Sequence, residues 1–534
     1  MKWKNFKDWT QRFADVSVDV IQALAEWSSG SSQPTVTTDD ERQALGLLKE
    51  VKLISVNVPG STASHLTMRN EICANILSLG VPSFYVMVNL ADVYNPIVHF
   101  LARHDIAIDN LLSHKIPTYW DQAKAVAWNP CIAAEFFHTY INAFISAILG
   151  YDPKQCLVTP GILGIARAYY GCVEVQGCGS LHCHMVVWVH GGMTSNQIRD
   201  RATADMAWRD CLIEFLNDTV CNVIPADPDP SMLIQSSKYH SCAVCGINMN
   251  VDPSAKDTLK ALLKDLRNIF VESQHHSHTK TCYKYSISGE KSCCFNLDEA
   301  NVTPTTSFNE EIGSLMMRHL DGMVNNYNPT IVVATRCNGD IKFMASGDAA
   351  KSVLFYITDY ITKTQLKSHV SFSALEAALK RLGNPDPMDT DIELRAKKML
   401  QKCVYSIISH QELSGQQVAT YLKGYGDHYS SHKYWNLYWT AFEKSINADD
   451  PSPECYCLCE NSIQGQGCPS SSPEPGPELD HLSGHDIFEP LFRPISHSLN
   501  GHSPFHFANI FLMTLIILRT IIKNGYIIWD TDYL

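Results

Sequence analysis

The sequence predicts an α+β fold, in which strands of a sheet are flanked by amphipathic helices. Residues 84–88 form a short apolar run that is typical of a buried strand. Residues 174–188 indicate two strands joined by a turn that contains Gly177 and Gly179. In contrast, apolar residues between 68 and 79 recur at spacings of three and four, which favours a helix.

The composition fits a globular protein that can bury a core. The chain has 534 residues, of which 45% are hydrophobic and 18% are charged, and this length suggests roughly two to four domains. The net charge of −13 excludes an overall basic field that would attract nucleic acid, so any such surface must be local. No secretory leader is recognisable, so we expect an intracellular protein whose 19 cysteines are reduced, some of them on zinc.

Changes in composition divide the chain into five parts. We expect a polar N-terminal arm (1–50), the first part of a main domain (51–224), a Cys/His-rich insertion (225–300), the second part of the main domain (301–445), and a linker with a hydrophobic tail (446–534). The tail has 14 uncharged residues from Phe505 to Leu518. This is shorter than the roughly 20 residues of a membrane span, so we expect no membrane partner.

Several further elements follow from the pattern of residues. Ser61 or Ser64 is positioned to cap the helix that ends at Gly80. Longer helices are predicted at 129–149 and 195–216, and residues 373–445 are expected to be largely helical. Strands are predicted at 330–335 and 341–344.

His182 and His184 are the first candidates for chemistry. Because strand side chains alternate between faces, two histidines one residue apart point the same way and can share a metal ion. A carboxylate or amide of the preceding strand, Glu174 or Gln176, is able to face them across the hairpin. The alternative interpretation is a pair of core histidines with satisfied hydrogen bonds.

The insertion contains a second group of possible metal ligands. A tetrahedral structural zinc site needs four ligands of the Cys or His type. The candidates are Cys242, Cys245, His276, His278, Cys282 and Cys293. Their spacing does not select four of the six, and a polar loop with incidental cysteines is the alternative.

A helix predicted after residue 348 carries the third candidate group. Tyr356, Tyr360 and Lys363 are spaced by four and three residues, so they share one helical face. Tyrosines with this spacing are often only packing residues. Together with a metal held by the histidines, however, they suit the nicking of single-stranded DNA. The metal, Mg²⁺ or Mn²⁺, polarises a phosphate, and a tyrosine oxygen attacks it to form a 5′-phosphotyrosine.

At these residues the chain resembles the Rep nuclease of Helitron rolling-circle transposons, as found in fungal genomes. The family's Glu-x-Gln-x-x-Gly-x-Leu-His-x-His block is matched at residues 174–184, and its Tyr-x-x-x-Tyr-x-x-Lys block at residues 356–363. The segment 83–98 resembles the family's first Rep motif, and the segments 68–72 and 323–343 are similar to the Helitron helicase-like N-terminal region. The resemblance extends over roughly residues 50–440.

The resemblance implies an HUH-type tyrosine DNA endonuclease and strand transferase that acts in the nucleus. Without the resemblance, we would expect a cytoplasmic protein. It implies a Rep domain with a central antiparallel sheet, the histidines on a middle strand and the tyrosines on a neighbouring helix. As the third metal ligand, after the two histidines, we prefer Gln176, because it lies closest to the turn. Glu174 is the second choice. Lys363 would orient a phosphate or favour the phenolate.

Two other functions stay open at this point. A GxxxxGK[ST] phosphate-binding loop does not occur in the sequence, so we expect no ATP site in this chain and a helicase, where one is needed, to be supplied separately. The chain is then either an active nuclease or a non-catalytic nucleic-acid-binding relic of a Helitron protein. A zinc hydrolase that uses only the histidines is a third reading.

Overall fold

The computed structural model describes most of the chain up to residue 435. The described residues are 16–28, 38–55, 58–102, 118–154, 157–175, 180–231, 240, 242, 256–283, 293–295, 297–310, 314–344, 355, 358, 368–381, 392–411 and 413–435. The chain divides into two compact units, of which the second comprises residues 432–493. All the elements named below belong to the first unit.

Helices make up much of this unit. The α-helices are α1 (Val18–Ser28), α2 (Asp39–Ile54), α3 (Thr62–Leu79), α4 (Pro96–Leu101), α5 (Tyr119–Trp128), α6 (Pro130–Ala143), α7 (Ser195–Ala204), α8 (Met206–Thr219), α9 (Lys256–Ser273), α10 (Pro329–Thr335), α11 (Ser368–Lys380), α12 (Ile392–Ser409) and α13 (Gly415–Leu422). A π-helical turn at Phe144–Ile148 extends α6, and a 3₁₀ turn covers Lys280–Tyr283.

In the described part of the chain, the strands form one large sheet and two small hairpins. They are β1 (Phe84–Asn89), β2 (Tyr151–Asp152), β3 (Leu157–Val158), β4 (Ala166–Val175), β5 (Leu181–Val189), β6 (Ser307–Asn309), β7 (Ser314–Met316), β8 (Asn338–Phe343) and β9 (His428–Ser430). The large sheet has five strands in the order β8-β1-β5-β4-β9, and all its pairs are antiparallel. This sheet among helices confirms the predicted α+β class.

One face of the sheet is apolar and carries the core. Val86, Met185 and Val187 lie on this face and are buried. Phe84, on the same face, makes an edge contact with Phe215 of α8. Helix α6 contacts β5, and the residues Pro130–Ile148 are long and apolar enough to cross a membrane. However, 61% of that stretch is buried inside the protein, as expected for a core helix.

The other face of the sheet carries polar side chains. The register places Tyr85, His184 and Tyr170 on this side, on three neighbouring strands. Helix α3 reaches it through Glu71, whose Oε2 accepts a hydrogen bond from the Tyr170 hydroxyl at 2.6 Å. The ends of α3 agree with prediction. Ser61 caps its start by accepting from the Ser64 N–H, and Gly80 (φ 83°) ends it.

Helices α1 and α2, which lie within the predicted polar arm, pack into a core cluster. Buried side chains of α1 and α2, such as Leu24 and Leu47, form one cluster with Phe372 and Leu375 of α11 and with Cys403 of α12. The polar composition of residues 1–50 had concealed this apolar stripe, because its partners lie more than 300 positions further along the chain.

Three other elements differ from the prediction. Residues 330–335 form a helix rather than a strand, because Asn328 caps it and Pro329 opens its first turn. The predicted helix at 195–216 is two helices, since Asp205 interrupts it and caps α8 by accepting from the Trp208 N–H at 3.0 Å. Finally, His428–Ser430 is a strand within a segment predicted to be helical, and it pairs with β4.

Candidate metal centres

The histidine pair lies on the middle strand of the large sheet. In the register, His182 is opposite Glu174 of β4 on one side and Asn89 of β1 on the other. His184 is opposite Cys172 and Met87. The two imidazoles therefore point to the same face of the sheet, as the spacing predicts.

Glu174 brings the two histidines together. Its Oε2 lies 3.1 Å from His182 Nε2 and 2.9 Å from His184 Nε2. These three ligand atoms all lie within 4.8 Å of one another. The histidine side chains are 7% and 9% exposed, whereas that of Glu174 is 30% exposed, so the group opens to solvent on the side of the carboxylate.

The carboxyl of Glu174 is ionised over the whole physiological range. Burial raises its pKa, but hydrogen bonds with His182 and His184 outweigh the burial and lower the pKa to about 2. Two imidazole nitrogens and one carboxylate oxygen make up a set that suits a divalent transition metal, and that leaves coordination positions for water or substrate. The donor chemistry thus fits a metal ion.

The second nitrogens of the two imidazoles have different surroundings. His184 Nδ1 lies 2.6 Å from the hydroxyl of Tyr85, a buried residue of β1. His182 Nδ1 is buried and has no hydrogen-bond partner among the described residues. The two histidines are therefore held unequally.

The polar end of β1 lies against the start of β5. Asp92 is buried, and its Oδ1 accepts hydrogen bonds from the Ser180 hydroxyl at 2.9 Å and from the Val93 N–H at 2.8 Å. Burial raises the pKa of Asp92, and the bond from Ser180 opposes that rise. This contact ties the loop after β1 to the strand that carries the histidines.

The other residues predicted for this site fall outside the described part of the chain. These are Gln176, Tyr356, Tyr360 and Lys363. The roles assigned to them stay predictions.

A second group of ligands follows helix α9. His276, His278, Cys282 and Cys293 place their ligand atoms within 4.8 Å of one another. His276 Nε2 lies 3.4 Å from Cys282 Sγ and 3.5 Å from Cys293 Sγ. Backbone bonds from His276 to Met323 and from Cys294 to Cys282 hold the segments that carry these ligands.

The environment of Cys282 favours a thiolate. The side chain and the backbone N–H of Thr279 both lie within hydrogen-bond distance of its sulfur, and they lower the pKa of the thiol. Two cysteines and two histidines are a common ligand set for tetrahedral structural zinc. Four of the six predicted zinc ligands thus come together.

Cys242, the first cysteine of the CxxC pair, is not among these four ligands. Cys242 is buried apart from this group, in a neighbourhood that includes Cys337, and burial raises the pKa of its thiol to about 12. Cys245 lies outside the described residues. Spacing in the sequence could not reveal which of the six candidates come together, because this depends on the turn at Lys280–Tyr283.

Sequence reasoning missed a polar cluster beside the histidines. On the same face, His428 of β9 stacks on Tyr170, and its Nδ1 lies 3.0 Å from Asp427 Oδ1. Its Nε2 lies 3.7 Å from Glu71 Oε2. The Asp-His pair was visible in the sequence, but nothing local indicated that it joins a strand more than 250 residues upstream.

The sheet, the histidine pair and the carboxylate define an α+β protein with a candidate metal centre on its middle strands. Residues 4–187 match the family model described as the Helitron helicase-like domain at the N-terminus. The chain is thus related to Helitron proteins through a segment that contains Glu174, His182 and His184. Comparisons with curated proteins and with solved structures gave no match.

Proposed function

We propose that this protein is a metal-dependent endonuclease and strand transferase that acts on single-stranded DNA in Helitron-type rolling-circle transposition. The observation that carries the proposal is the convergence of Glu174, His182 and His184 on one face of the sheet, within the segment that matches the Helitron domain. The match supports a Helitron-associated function, and the site supports the chemistry.

Glu174, His182 and His184 would hold Mg²⁺ or Mn²⁺. The bound ion supplies Lewis-acid polarisation of the scissile phosphate. The carboxylate keeps its charge because of its low pKa, and each imidazole offers a lone pair at Nε2 when it is neutral with its proton on Nδ1. The greater exposure of Glu174 leaves an approach for a phosphate oxygen on that side.

The nucleophile in this proposal is Tyr356 or Tyr360. Its phenolic oxygen forms a bond to phosphorus while the bond to the 3′ oxygen breaks. The phenolic proton passes to solvent, and the departing 3′ oxygen takes up a proton. The product is a 5′-phosphotyrosine and a free 3′ hydroxyl, so the strand can be rejoined without ATP. Lys363 would orient the phosphate.

We further propose that His276, His278, Cys282 and Cys293 hold a structural Zn²⁺. Their four ligand atoms lie close together, and no position is left for a substrate once four protein ligands bind. The role of this group would be to fold the insertion rather than to take part in the reaction.

A denaturing gel tests the nuclease proposal. The full chain is mixed with 5′- and 3′-labelled single-stranded DNA and Mn²⁺, and compared with chelator, with His182→Ala/His184→Ala and with Tyr356→Phe/Tyr360→Phe. His190→Ala is a matched control, because His190 is an exposed histidine at the end of the same strand. We expect a slow-migrating adduct that is lost in the first three samples and retained in the control.

Two results would contradict the proposal. The absence of an adduct from folded, metal-loaded protein would favour a non-catalytic nucleic-acid-binding relic. Cleavage that survives the loss of both tyrosines would indicate a metal-activated water, as in a hydrolase. Single Tyr→Phe variants would name the nucleophile if the adduct forms.

A further inference from the structure

Tyr85 lies behind the candidate metal centre, where no sequence motif places a functional residue. It is buried in β1, opposite Val186 of β5, so His184 is its diagonal neighbour across the two strands. The Tyr85 ring lies nearly parallel to the His184 imidazole, with 6.0 Å between centroids and 20° between planes. Its hydroxyl lies 2.6 Å from His184 Nδ1.

The proton on His184 must change place when a cation binds. Without a cation, His184 Nε2 lies 2.9 Å from the Glu174 carboxylate, and because a carboxylate only accepts, that nitrogen must carry the proton. A metal ligand must instead present a lone pair at Nε2. The neutral ring then carries its proton on Nδ1.

Only some side chains can form a hydrogen bond with Nδ1 both when the His184 proton is on Nε2 and when it is on Nδ1. A hydroxyl can donate to a bare Nδ1, and after rotating about its C–O bond it can accept from Nδ1–H. A carboxylate would hold the second arrangement alone, and an ammonium the first alone. The phenol of Tyr85 therefore accommodates both forms of His184 without a charge in the core.

We propose that Tyr85 is a positioning residue that sets the tautomer and the orientation of His184 for cation binding. The proposal rests on the metal site of the proposed function. His182 has no such partner among the described residues, so His184 is the better-oriented ligand of the two. The bond to Tyr85 strengthens when a cation polarises the imidazole, because hydrogen bonds to charged groups are the stronger ones.

Metal affinity gives the first test. Full-length protein, loaded with zinc so that the Cys/His group is filled, is titrated with Mn²⁺ by calorimetry. For Tyr85→Phe we expect about ten- to hundred-fold weaker binding, the range found for outer partners of metal ligands. Tyr327→Phe is the matched control, because Tyr327 is equally buried and donates a bond of the same 2.6 Å length to the Val223 carbonyl. It should bind Mn²⁺ as the unaltered chain does.

The tautomer of His184 gives a second readout, which is first taken on the unaltered chain. In ¹⁵N-histidine NMR of the unaltered chain, assigned with His184→Gln, we expect the His184 proton on Nε2 before addition of excess Zn²⁺ as a diamagnetic probe, and on Nδ1 afterwards. Tyr85→Phe should reduce this change at equal Zn²⁺.

The outcomes separate this proposal from the one it rests on. If the unaltered chain binds Mn²⁺ and loses it in His182→Ala/His184→Ala, while Tyr85→Phe binds as tightly, the role of Tyr85 is wrong and the metal site stands. A change of the His184 tautomer that is equally large in Tyr85→Phe and in the unaltered chain would have the same meaning. If the unaltered chain binds no Mn²⁺, both proposals are overturned.

Discussion

Glu174 supplies the negative charge of the candidate metal centre. Because Oε2 faces both imidazoles, this carboxylate holds the histidines in position before any cation arrives. Its neighbours explain the low pKa, and the negative charge is then available to offset that of a divalent ion.

Replacing Glu174 by Gln should weaken Mn²⁺ binding at least ten-fold, which corresponds to about 1.4 kcal/mol. The amide keeps the size of the side chain and removes its charge. Isothermal titration of zinc-loaded protein measures the change. Gln176→Ala is the companion variant, since Gln176 is the ligand that the sequence favoured. If the affinity for Mn²⁺ falls with Gln176→Ala and not with Glu174→Gln, the third ligand is Gln176 and not Glu174.

The pair His428 and Asp427 should make stability depend on pH. Burial lowers the pKa of His428, but its bond to Asp427, with further attraction to Asp427 and Glu71, leaves that pKa above the ordinary 6.5. Burial raises the pKa of Asp427, but its bond to His428, helped by nearby His65, leaves it below the ordinary 3.8.

The signs of these two shifts define the pH window. A histidine whose pKa is raised on folding stabilises the folded state fully below about pH 6.5. This stabilisation is lost as the pH rises through the pKa of the folded state. An aspartate whose pKa is lowered on folding stabilises the folded state fully above about pH 3.8. This stabilisation is lost as the pH falls through the pKa of the folded state. The pair therefore stabilises most between about pH 4 and 6.5.

His428→Gln should lower the free energy of unfolding by about 1 kcal/mol or less in that window, since the pair is partly exposed. The difference should shrink by pH 9. Urea titrations at pH 5.5 and 9 measure it. A difference that is equal at both pH values would mean that packing, not charge, accounts for the effect, and Tyr170→Phe would then separate stacking from the bond to Glu71.

At the scale of elements, the Cys/His group connects segments that have little regular structure. A 3₁₀ turn, an extended stretch after α9 and the region of Cys293 meet there. Among the described residues, few backbone bonds join these segments, so a bound zinc ion would supply much of their stability.

Cys293→Ser should therefore abolish stoichiometric zinc and lower the melting temperature, and chelation should do the same to the unaltered chain. Cys294→Ser is a closely matched control, because Cys294 is the adjacent residue, is exposed and does not belong to the group. Metal analysis and thermal melts of both variants give the result. Equal zinc content in the two variants would exclude Cys293 as a ligand.

At the scale of the whole molecule, local patterns in the sequence predicted what depends on neighbours along the chain. The hairpin of β4 and β5, the orientation of His182 and His184, and the caps of α3 all depend on residues within a few positions. The Cys/His group was found as a set of candidates, because four of its possible ligands lie within one short stretch.

Features that join distant parts of the chain were not predictable in this way. Strand β9 pairs with β4, which lies far upstream, and the Tyr85 hydroxyl contacts His184, which lies 99 positions away. Helix α10 was mistaken for a strand because β-branched residues dominate it, although Asn328 and Pro329 mark a helix start. Long-range pairing requires the fold as a whole, and a single sequence does not specify it.

The cluster of α1, α2, α11 and α12 shows the same dependence and leads to a sharp test. If residues 1–50 were only a polar arm, truncating a side chain there would leave stability unchanged. Leu47 is instead fully buried against this cluster. Leu47→Ala should therefore lower the free energy of unfolding by about 2–5 kcal/mol, through lost burial and a cavity. Urea denaturation measures this.

Lys49→Ala provides the control, because Lys49 is exposed on the same helix. It changes helix propensity and charge but removes no buried group, so it should alter stability by less than about 0.5 kcal/mol. A second substitution in the facing helix, Leu375→Ala, tests whether α2 and α11 share one core. Because residues in contact share a cavity, the double variant should lose less stability than the sum of the two single variants. Strict additivity would mean that α2 and α11 do not contact each other through these side chains.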